Sequence, residues 1–383
     1  MKKLTSAIIG MGYISPSHIE SIRRTGFAEV KACTDADHEL ADKKATEWNI
    51  PSVYRSVDEI LSDPELDVIH NCTPNYLHKE INEKVIKAGK HLFSEKPLAR
   101  DSAESKILLD LLKDHPDVVA AVNFNYRMNP LVQDMKDKLK AGEYGVPRLV
   151  HGSYLQDWLL YENDYNWRLD KQMSGQSNTM ADIGSHWMDT AQTVLDSKIT
   201  RVFANLVTNI PVRKKARGMV EAFAKQASQD FEDKKIEVED AGMVMVEFDN
   251  GARGMFLVSQ ISAGRKCRLD LEINGSKASA YWNQELADRM WVGHRDEPNH
   301  EVIRNPQWMS PASQKHTGLA AGHPEGWNDA MTNNVRAFYR FIVEGKKLTS
   351  EIPPFATFGE AHYIIRLVED IVQSSRKQEW VGV

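Results

Sequence analysis

The chain has 383 residues, more than one hydrophobic core commonly organises, so two domains are expected. Its 42% apolar and 27% charged residues describe an ordinary globular protein, and a net charge of −6 leaves no excess basic surface for a nucleic acid. Three widely spaced cysteines (Cys33, Cys72, Cys267) argue against a disulfide framework and a zinc site; with no leader pattern and no apolar run near 18 residues, a cytoplasmic protein without membrane contact is expected.

In chain order, TSAIIG (5–10) reads as a strand and PSHIESIRRT (16–25) as a helix. AEVKACTD (28–35) is the next strand and ADHELADKKATEW (36–48) a polar-faced helix. DVIHNCT (67–73) is again a strand, and LHKEINEKVIKAG (77–89) a helix closed by Gly89. HLFSE (91–95) and VVAAVNF (118–124) are strands around a helix near 103–115. Strands alternating with helices at this spacing imply βαβ units and a parallel sheet.

After Asn125 the period shortens to two. GSYLQDW (152–158), ITRVFANLVTN, AGMVMVEFD (241–249), ARGMFLVSQIS (252–262) and CRLDLEIN (267–274) alternate apolar and polar residues, and Asn250-Gly251 signals a hairpin turn. A largely antiparallel sheet in an α+β second domain follows. A helix over 179–195, a helical, charge-rich insertion over 215–240, a long loop over 295–325 and two closing helices near 327–344 and 357–374 complete the expected layout. The domains are set at 1–125 and 126–383.

Gly10-Met11-Gly12-Tyr13-Ile14-Ser15 follows the first strand and opens the first helix. The first glycine permits a tight turn, and the second lets backbone N–H groups approach a pyrophosphate at the helix N-terminus. Ser15 takes the third glycine's place. Asp35, at the end of the second strand, is where a carboxylate grips the adenosine ribose hydroxyls, the alternative being a helix cap. No Arg or Lys directly follows it, so NAD is preferred to NADP. Thr73, Pro74 and Asn75 end another strand on the ligand-binding edge; His78 lies at a helix start, where by itself a surface position is favoured. Lys96, in FSEKP, falls at a further strand's carboxyl end, where the nicotinamide half of a dinucleotide belongs.

Asp182, His186 and Asp189 stand at i, i+4 and i+7 on the helix expected over 179–195, hence on one face. Together with the glycine turn, TPNYLH (73–78), SEKPL (94–98) and NFNYRMNP (123–130), the segment DIGSHWMD (182–189) resembles the glucose–fructose oxidoreductase/inositol dehydrogenase/rhizopine-catabolism (Gfo/Idh/MocA) family. The resemblance covers essentially the whole chain. It implies an N-terminal Rossmann domain, a doubly wound parallel sheet, and a C-terminal domain with a large open, mostly antiparallel sheet that supports homodimers or homotetramers. It further implies Lys96, Asp182 and His186 as the catalytic set beside the nicotinamide, and a cis bond before Pro97. Glu95 is a cofactor-binding candidate that strand alternation turns to the face opposite Lys96, and Asn125 is a candidate for contact with the cofactor or the substrate. QDWLLYENDYNWRLD (156–170) is similar to a subgroup acting on sugars, including anhydrosugar dehydrogenases.

Oxidising a secondary alcohol requires removing the hydroxyl proton while hydride leaves the same carbon. Lys96 and His186 are both candidates for the base, with Asp182 orienting the substrate hydroxyl or His186. A lysine titrates near 10.4 when free, so burial and a positive nicotinamide would be needed to tune Lys96. Trp158, Tyr161, Tyr165, Trp167 and Arg168 cluster before the helix: aromatic faces suit sugar C–H faces, although Trp167 fits a core role equally well and Trp158 better. Arg127 is a substrate candidate or a surface residue. The resemblance adds His323 and Trp327 to the substrate pocket; a metal at His316 and His323 is not expected, for want of a third ligand. Two other readings stay open: NAD-dependent glycoside cleavage or epimerisation through transient oxidation, and a non-catalytic dinucleotide-sensing regulator.

Overall fold

The computed structural model describes residues 3–216 and 231–383. They form two compact units, one of residues 1–125 with 331–365, the other of 126–330 with 366–383. Residues 331–365, placed in the second domain by the sequence reading, thus return to the first.

The first unit holds a six-stranded parallel sheet of β1 (Leu4–Ile9), β2 (Ala28–Thr34), β3 (Ser52–Val53), β4 (Val68–Asn71), β5 (His91–Ser94) and β6 (Ala120–Val122), in the order β3-β2-β1-β4-β5-β6. β4 is buried at every residue and β1 nearly so, as expected of strands covered on both faces. Strand order reverses at β1 and β4, and the loops leaving that edge carry Gly10, Asp35, Thr73 and Lys96. The helix Ser15–Thr25 begins with Pro16 in its first turn and ends at Gly26, φ 75°. His38–Glu47 is capped by Asp37, whose side chain accepts from Leu40 N, so Asp35 is not the cap.

The second unit is built on nine strands: β7 (Pro147–Leu155), β8 (Ile199–Val207), then, past the hairpin of β9 (Val212–Ala216) and β10 (Phe231–Lys235), β11 (Ala241–Phe248), β12 (Arg253–Ser259), β13 (Arg268–Gly275), β14 (Ser279–Asn283), β15 (Arg289–Gly293), β16 (His300–Ile303) and β17 (Val381–Gly382). Their order is β16-β15-β14-β13-β7-β12-β11-β8-β17, antiparallel except where β7 meets β12. Along β11, Gly242, Val244, Val246 and Phe248 are buried while Met243 and Met245 are exposed, the two-residue period of a sheet with one packed face. The helix Ser185–Leu195 packs on that face through Trp187, which stacks on Phe256 at 4.3 Å and donates from Nε1 to the Asp270 carbonyl at 3.0 Å.

Three expectations need correction. The described flanks of the 215–240 insertion are the paired strands β9 and β10, not helix; residues 217–230 lie outside the described residues. In FEDKK the charges suggest a helix, but cross-strand pairing settles the local conformation. The loop over 295–325 contains β16 and the short helix Pro311–Gln314, while β14, β15 and the helix Pro130–Lys140 were not anticipated.

Candidate active site

Gly10 has φ +91°, a region that L side chains avoid, and a Cβ there would lie 2.8 Å from the Cys72 carbonyl carbon. Gly12 differs: a Cβ would meet no atom within 4 Å. The turn is therefore closed against β4's end at Gly10 and open at Gly12, as backbone approach by a pyrophosphate demands. Ser15 is fully buried, and its hydroxyl donates to Gly12 O at 2.9 Å, so the residue replacing the third glycine satisfies its own polar group locally. Tyr13 is exposed and Ile14 half-buried at the helix start. Asp35 accepts from Met11 N at 2.6 Å and Asp37 N at 2.9 Å, which ties the ribose-gripping candidate to the glycine turn. Buried Asn125 presents an amide Nδ2 with no hydrogen-bond partner among the described residues, the kind of orphaned donor a ligand satisfies. Open Gly12, the anchored Asp35 and the orphaned Asn125 donor fit a dinucleotide.

At the ends of β4 and β5 the loops are stitched together. Asn71 Oδ1 accepts from Thr73 N at 3.2 Å and Thr73 Oγ1 at 2.7 Å; Pro74 and the buried Asn75 start the next helix. His78 is fully buried rather than on the surface. Its ring nitrogens meet the carbonyl oxygens of Pro97 at 2.6 Å and Thr73 at 2.8 Å, so it holds one ligand-edge loop to the other. Burial pushes its pKa below the usual histidine value, against the pull of those two carbonyls. The Lys96–Pro97 bond is cis and Lys96 half-buried. Glu95 is buried: Oε1 accepts from His18 Nε2 at 2.9 Å and Asn123 Nδ2 at 2.6 Å, and Oε2 from Lys96 N at 3.2 Å. Burial pushes its pKa up, but His18, through its hydrogen bond and its charge, together with the hydrogen bond from Asn123 and the charge of Lys96, outweighs it and holds the carboxyl down at about 2.

In the second unit, Met180–Gly184 is a π-helical turn running directly into Ser185–Leu195, with Ser185 N–H reaching back to Met180 O. Its start is held by buried Glu239, whose Oε1 accepts from Ser177 Oγ at 2.6 Å, Met180 N at 2.9 Å and Asn178 N at 3.1 Å. Gln260 accepts from Asn178 Nδ2 at 2.7 Å and Thr179 Oγ1 at 3.0 Å and donates to Asp182 Oδ2 at 2.8 Å. Asp182 Oδ1 faces Arg168 Nε at 3.7 Å, and the Arg168 guanidinium lies over the Trp167 ring at 4.5 Å. Asp182, Arg168 and Trp167 are thus brought together.

The other two members of the expected face point to a single 3₁₀ turn, Asn125–Met128. The His186 ring meets Tyr126 edge-on at 4.8 Å, beside Tyr154 at 6.2 Å. Tyr126 and Tyr154 share a hydrogen bond of 2.6 Å, and Trp327 also bonds Tyr126, which places Trp327 in the histidine's surroundings. Asp189 takes Arg127 in a buried bidentate pair, Nε to Oδ2 at 3.0 Å and Nη2 to Oδ1, so the fork of Arg127 is turned to structure. His323 is exposed, its carbonyl accepting from Arg304 Nη2 at 2.6 Å. Trp158 and Tyr165 pack on a buried cluster of Leu159, Leu169, Ile236 and Val238, the core role favoured for Trp158; Tyr161 is exposed. Tyr126, Tyr154, Glu239 and Gln260 escaped the sequence reading, because nothing in their spacing distinguishes them from ordinary core or strand residues. Among the described residues no group of three His, Cys, Asp or Glu is placed to hold a metal, and no helix is long and apolar enough to cross a membrane.

Parallel sheet, glycine turn and anchored acidic residue define a dinucleotide-binding unit, and comparison with known proteins gives its class: residues 4–124 match the model of an oxidoreductase family with an NAD-binding Rossmann fold, and residues 132–281 that of the GFO/IDH/MocA C-terminal domain. The chain belongs to the GFO/IDH/MocA family. It is 30% identical to levoglucosan dehydrogenase from Pseudarthrobacter phenanthrenivorans, over 100% of this chain and 99% of that one. A solved levoglucosan dehydrogenase in complex with NADH and levoglucosan superposes with a TM-score of 0.89 at 28% identity, covering 100% of both chains. An inositol dehydrogenase homologue from Azotobacter vinelandii, solved with NAD+, shares the fold at a TM-score of 0.84 and 21% identity, over 100% of this chain and 98% of that one.

Proposed function

We propose that the protein is an NAD-dependent dehydrogenase of a secondary alcohol on a sugar, anhydrosugar or cyclitol. The observation that carries the reading is the joining of Asp182, Arg168 and Trp167: a carboxylate and a guanidinium for hydroxyl groups beside an aromatic face for sugar C–H bonds. The full-length similarity to levoglucosan dehydrogenase favours anhydrosugars within that class. NAD, when bound, supplies the hydride acceptor; Gly10, Gly12, Tyr13, Ile14, Asp35, Thr73, Pro74, Asn75, Glu95, Lys96 and Asn125 would hold it, with His78 fixing two of the loops. The absence of a basic residue directly after Asp35 favours NAD over NADP. Lys96 and His186 handle the hydroxyl proton, Asp182 and Arg168 orient the sugar, and Trp327 supports the His186 surroundings through Tyr126.

The test is a panel of sugars, anhydrosugars and inositols with NAD and with NADP, read as reduced cofactor. Net NADH with an anhydrosugar is expected; cleavage or epimerisation without accumulating NADH would favour transient oxidation, and no turnover with any polyol a regulator. Lys96→Ala should abolish turnover while NAD still binds, and undiminished turnover would remove Lys96 from the mechanism. Homo-oligomerisation through the outer sheet face belongs to the same reading. Leu149, Met243, Met245, Met255, Leu257 and Trp291 leave large apolar side chains exposed on β7, β11, β12 and β15. Met255→Lys with Leu257→Glu should lower the mass in sedimentation equilibrium, and a monomeric wild type would reject the interface.

A further inference from the structure

Strands β9 and β10 lie against the segment 156–170, which carries Trp167 and Arg168. Arg213, on β9 and fully buried, donates from Nη1 to the carbonyls of Tyr161 at 2.8 Å and Asp164 at 3.0 Å. Those two residues close a turn on each other, Asp164 N to Tyr161 O at 3.0 Å and Tyr161 N to Asp164 Oδ2 at 2.8 Å. Lys214 N donates to Glu162 O at 2.8 Å, and the Lys215 ammonium lies over the Tyr165 ring at 5.6 Å. On β10, Lys234 stands 3.7 Å from Asp170. Within the segment so held, Asn166 Oδ1 accepts from Arg168 N at 3.1 Å and Nη1 at 3.3 Å, which carries the arrangement on to the guanidinium.

The chain leaving β10 completes the mount. Ile236 and Val238 pack with Leu159 and Leu169, near the two ends of the segment. Glu239 holds the start of the turn that bears Asp182. Asp240, the next residue, accepts from Asn209 N and Nδ2 and from Ile210 N, each at 2.9 Å, and faces Arg213 Nη2 at 3.9 Å. A buried guanidinium is unfavourable unless acceptors and a counter-charge are fixed around it, and here both are. Residues 236–240 thus position the Arg168 segment and the Asp182 turn together, through neighbouring side chains. Arg168 Nε and Asp182 Oδ1, 3.7 Å apart, are too distant for a direct hydrogen bond, but one hydroxyl can accept from the first and donate to the second. A closer approach would shut the pair on itself, and a wider one would lose one of the two bonds.

We propose that Arg213 is a positioning residue of the sugar site: with Asp240 behind it, it holds the segment 156–170 so that Arg168 stands at the distance from Asp182 that one substrate hydroxyl spans. Strands β9 and β10 are then a specificity element. The proposal rests on the dehydrogenase reading, in which Arg168 and Asp182 orient the sugar.

Steady-state kinetics of the full chain, with NAD and the best polyol of the panel, test it. Arg213→Met should raise the polyol KM about tenfold, with kcat and the KM for NAD changed less than about threefold. In the Arg168→Met background the same substitution should add less than about twofold, because its effect passes through Arg168. A full tenfold rise in that background, or an unchanged KM in the single variant, overturns the proposal. Arg213→Lys keeps a charged donor for the two carbonyls and should hold KM within about threefold of the wild type; a lysine variant as poor as the methionine one overturns the clamp. Where Arg213→Met fails to fold, the double variant Lys215→Ala/Lys234→Ala, confined to half-exposed side chains, decides: KM should rise about threefold, and a wild-type KM rejects the mount. A chain that oxidises no polyol refutes the dehydrogenase reading and leaves the mount to amide exchange. The Asp164 amide should then exchange about tenfold faster in Arg213→Met than in the wild type, and unchanged exchange overturns the mount as well.

Discussion

Two arginine–carboxylate pairs sit seven residues apart on the segment 180–195, and they differ in every physical respect. Arg127 and Asp189 keep 7% and 2% of their side-chain surface and meet through two parallel contacts; Arg168 and Asp182 keep 24% and 16% and stand 3.7 Å apart. The first pair is buried and turns its bidentate edge onto its own partner, whereas the second leaves room for a ligand's hydroxyl groups. The same contrast recurs in the first unit, where Gly10 is closed against Cys72 and Gly12 faces open space. Closed members build the site; open members are left to meet what binds there.

The largest effect should come from breaking the closed pair on one side. Arg127→Met strands a buried Asp189, and loss of one partner of a buried pair costs about 3–5 kcal/mol. Urea unfolding measures it, and the double variant Arg127→Met/Asp189→Leu should recover much of the loss because neither charge is then buried alone. A single variant as stable as the wild type would erase the distinction between the two pairs.

Next in size are the glycines. Gly10→Ala forces a side chain into a left-handed conformation and against a backbone carbonyl, a penalty of about 2–4 kcal/mol. Gly12→Ala should leave the melting temperature within about 2 °C of the wild type, since nothing in the protein touches the new methyl. It should instead weaken NAD binding by about tenfold by narrowing the approach to the backbone. Melting curves and NAD titrations of the two variants separate a glycine needed by the chain from one needed by the ligand.

This division marks how far the sequence could be read. The parallel sheet, the one-faced antiparallel sheet, the glycine turn and the family were legible, because periodicity and motif spacing report on local geometry and on composition of the ligand edge. Which members of a motif are saturated was not. DIGSHWMD puts Asp182, His186 and Asp189 on one helical face, but the arrival of Tyr126 and Arg127 from a turn some sixty residues earlier decides that Asp189 is closed, and Gln260 from β12's end orients Asp182. His78 likewise looks like a surface residue until two carbonyls from separate loops surround it. Long-range partners of this sort leave no trace in spacing. Hairpin β9–β10 was misread for a similar reason, its strands being defined by each other and not by an apolar period.

A smaller effect, acidification, tests the closed groups of the first unit collectively. Burial lowers the pKa values of His70 and His78, and the hydrogen-bond network around Glu95 lowers that carboxyl from 4.5 to about 2. Below pH 6.5 the unfolded chain takes up protons on these histidines that the folded chain refuses, and below 4.5 it does so at Glu95 as well. Stability should therefore be full above about pH 7 and fall as pH decreases, at about 1.4 kcal/mol per pH unit for each such group. Unfolding followed between about pH 8 and pH 5 checks the sign; stability that rises on acidification would mean that the buried histidines are charged in the folded state.

The smallest change in stability belongs to the open pair. Arg168→Met removes a half-exposed charge 3.7 Å from Asp182, an interaction worth less than about 1 kcal/mol. The methionine can still lie along Trp167, so the packing of the loop is preserved. Its kinetic effect should be much larger than its thermal one, because a guanidinium that the protein uses weakly is available to a substrate hydroxyl. A rise in KM of about tenfold with kcat changed less than about threefold would mark Arg168 as a group that binds ground state and transition state alike. A fall in kcat at constant KM would place Arg168 in the chemistry itself, and an unfolding loss as large as that of Arg127→Met would show that this pair too is closed.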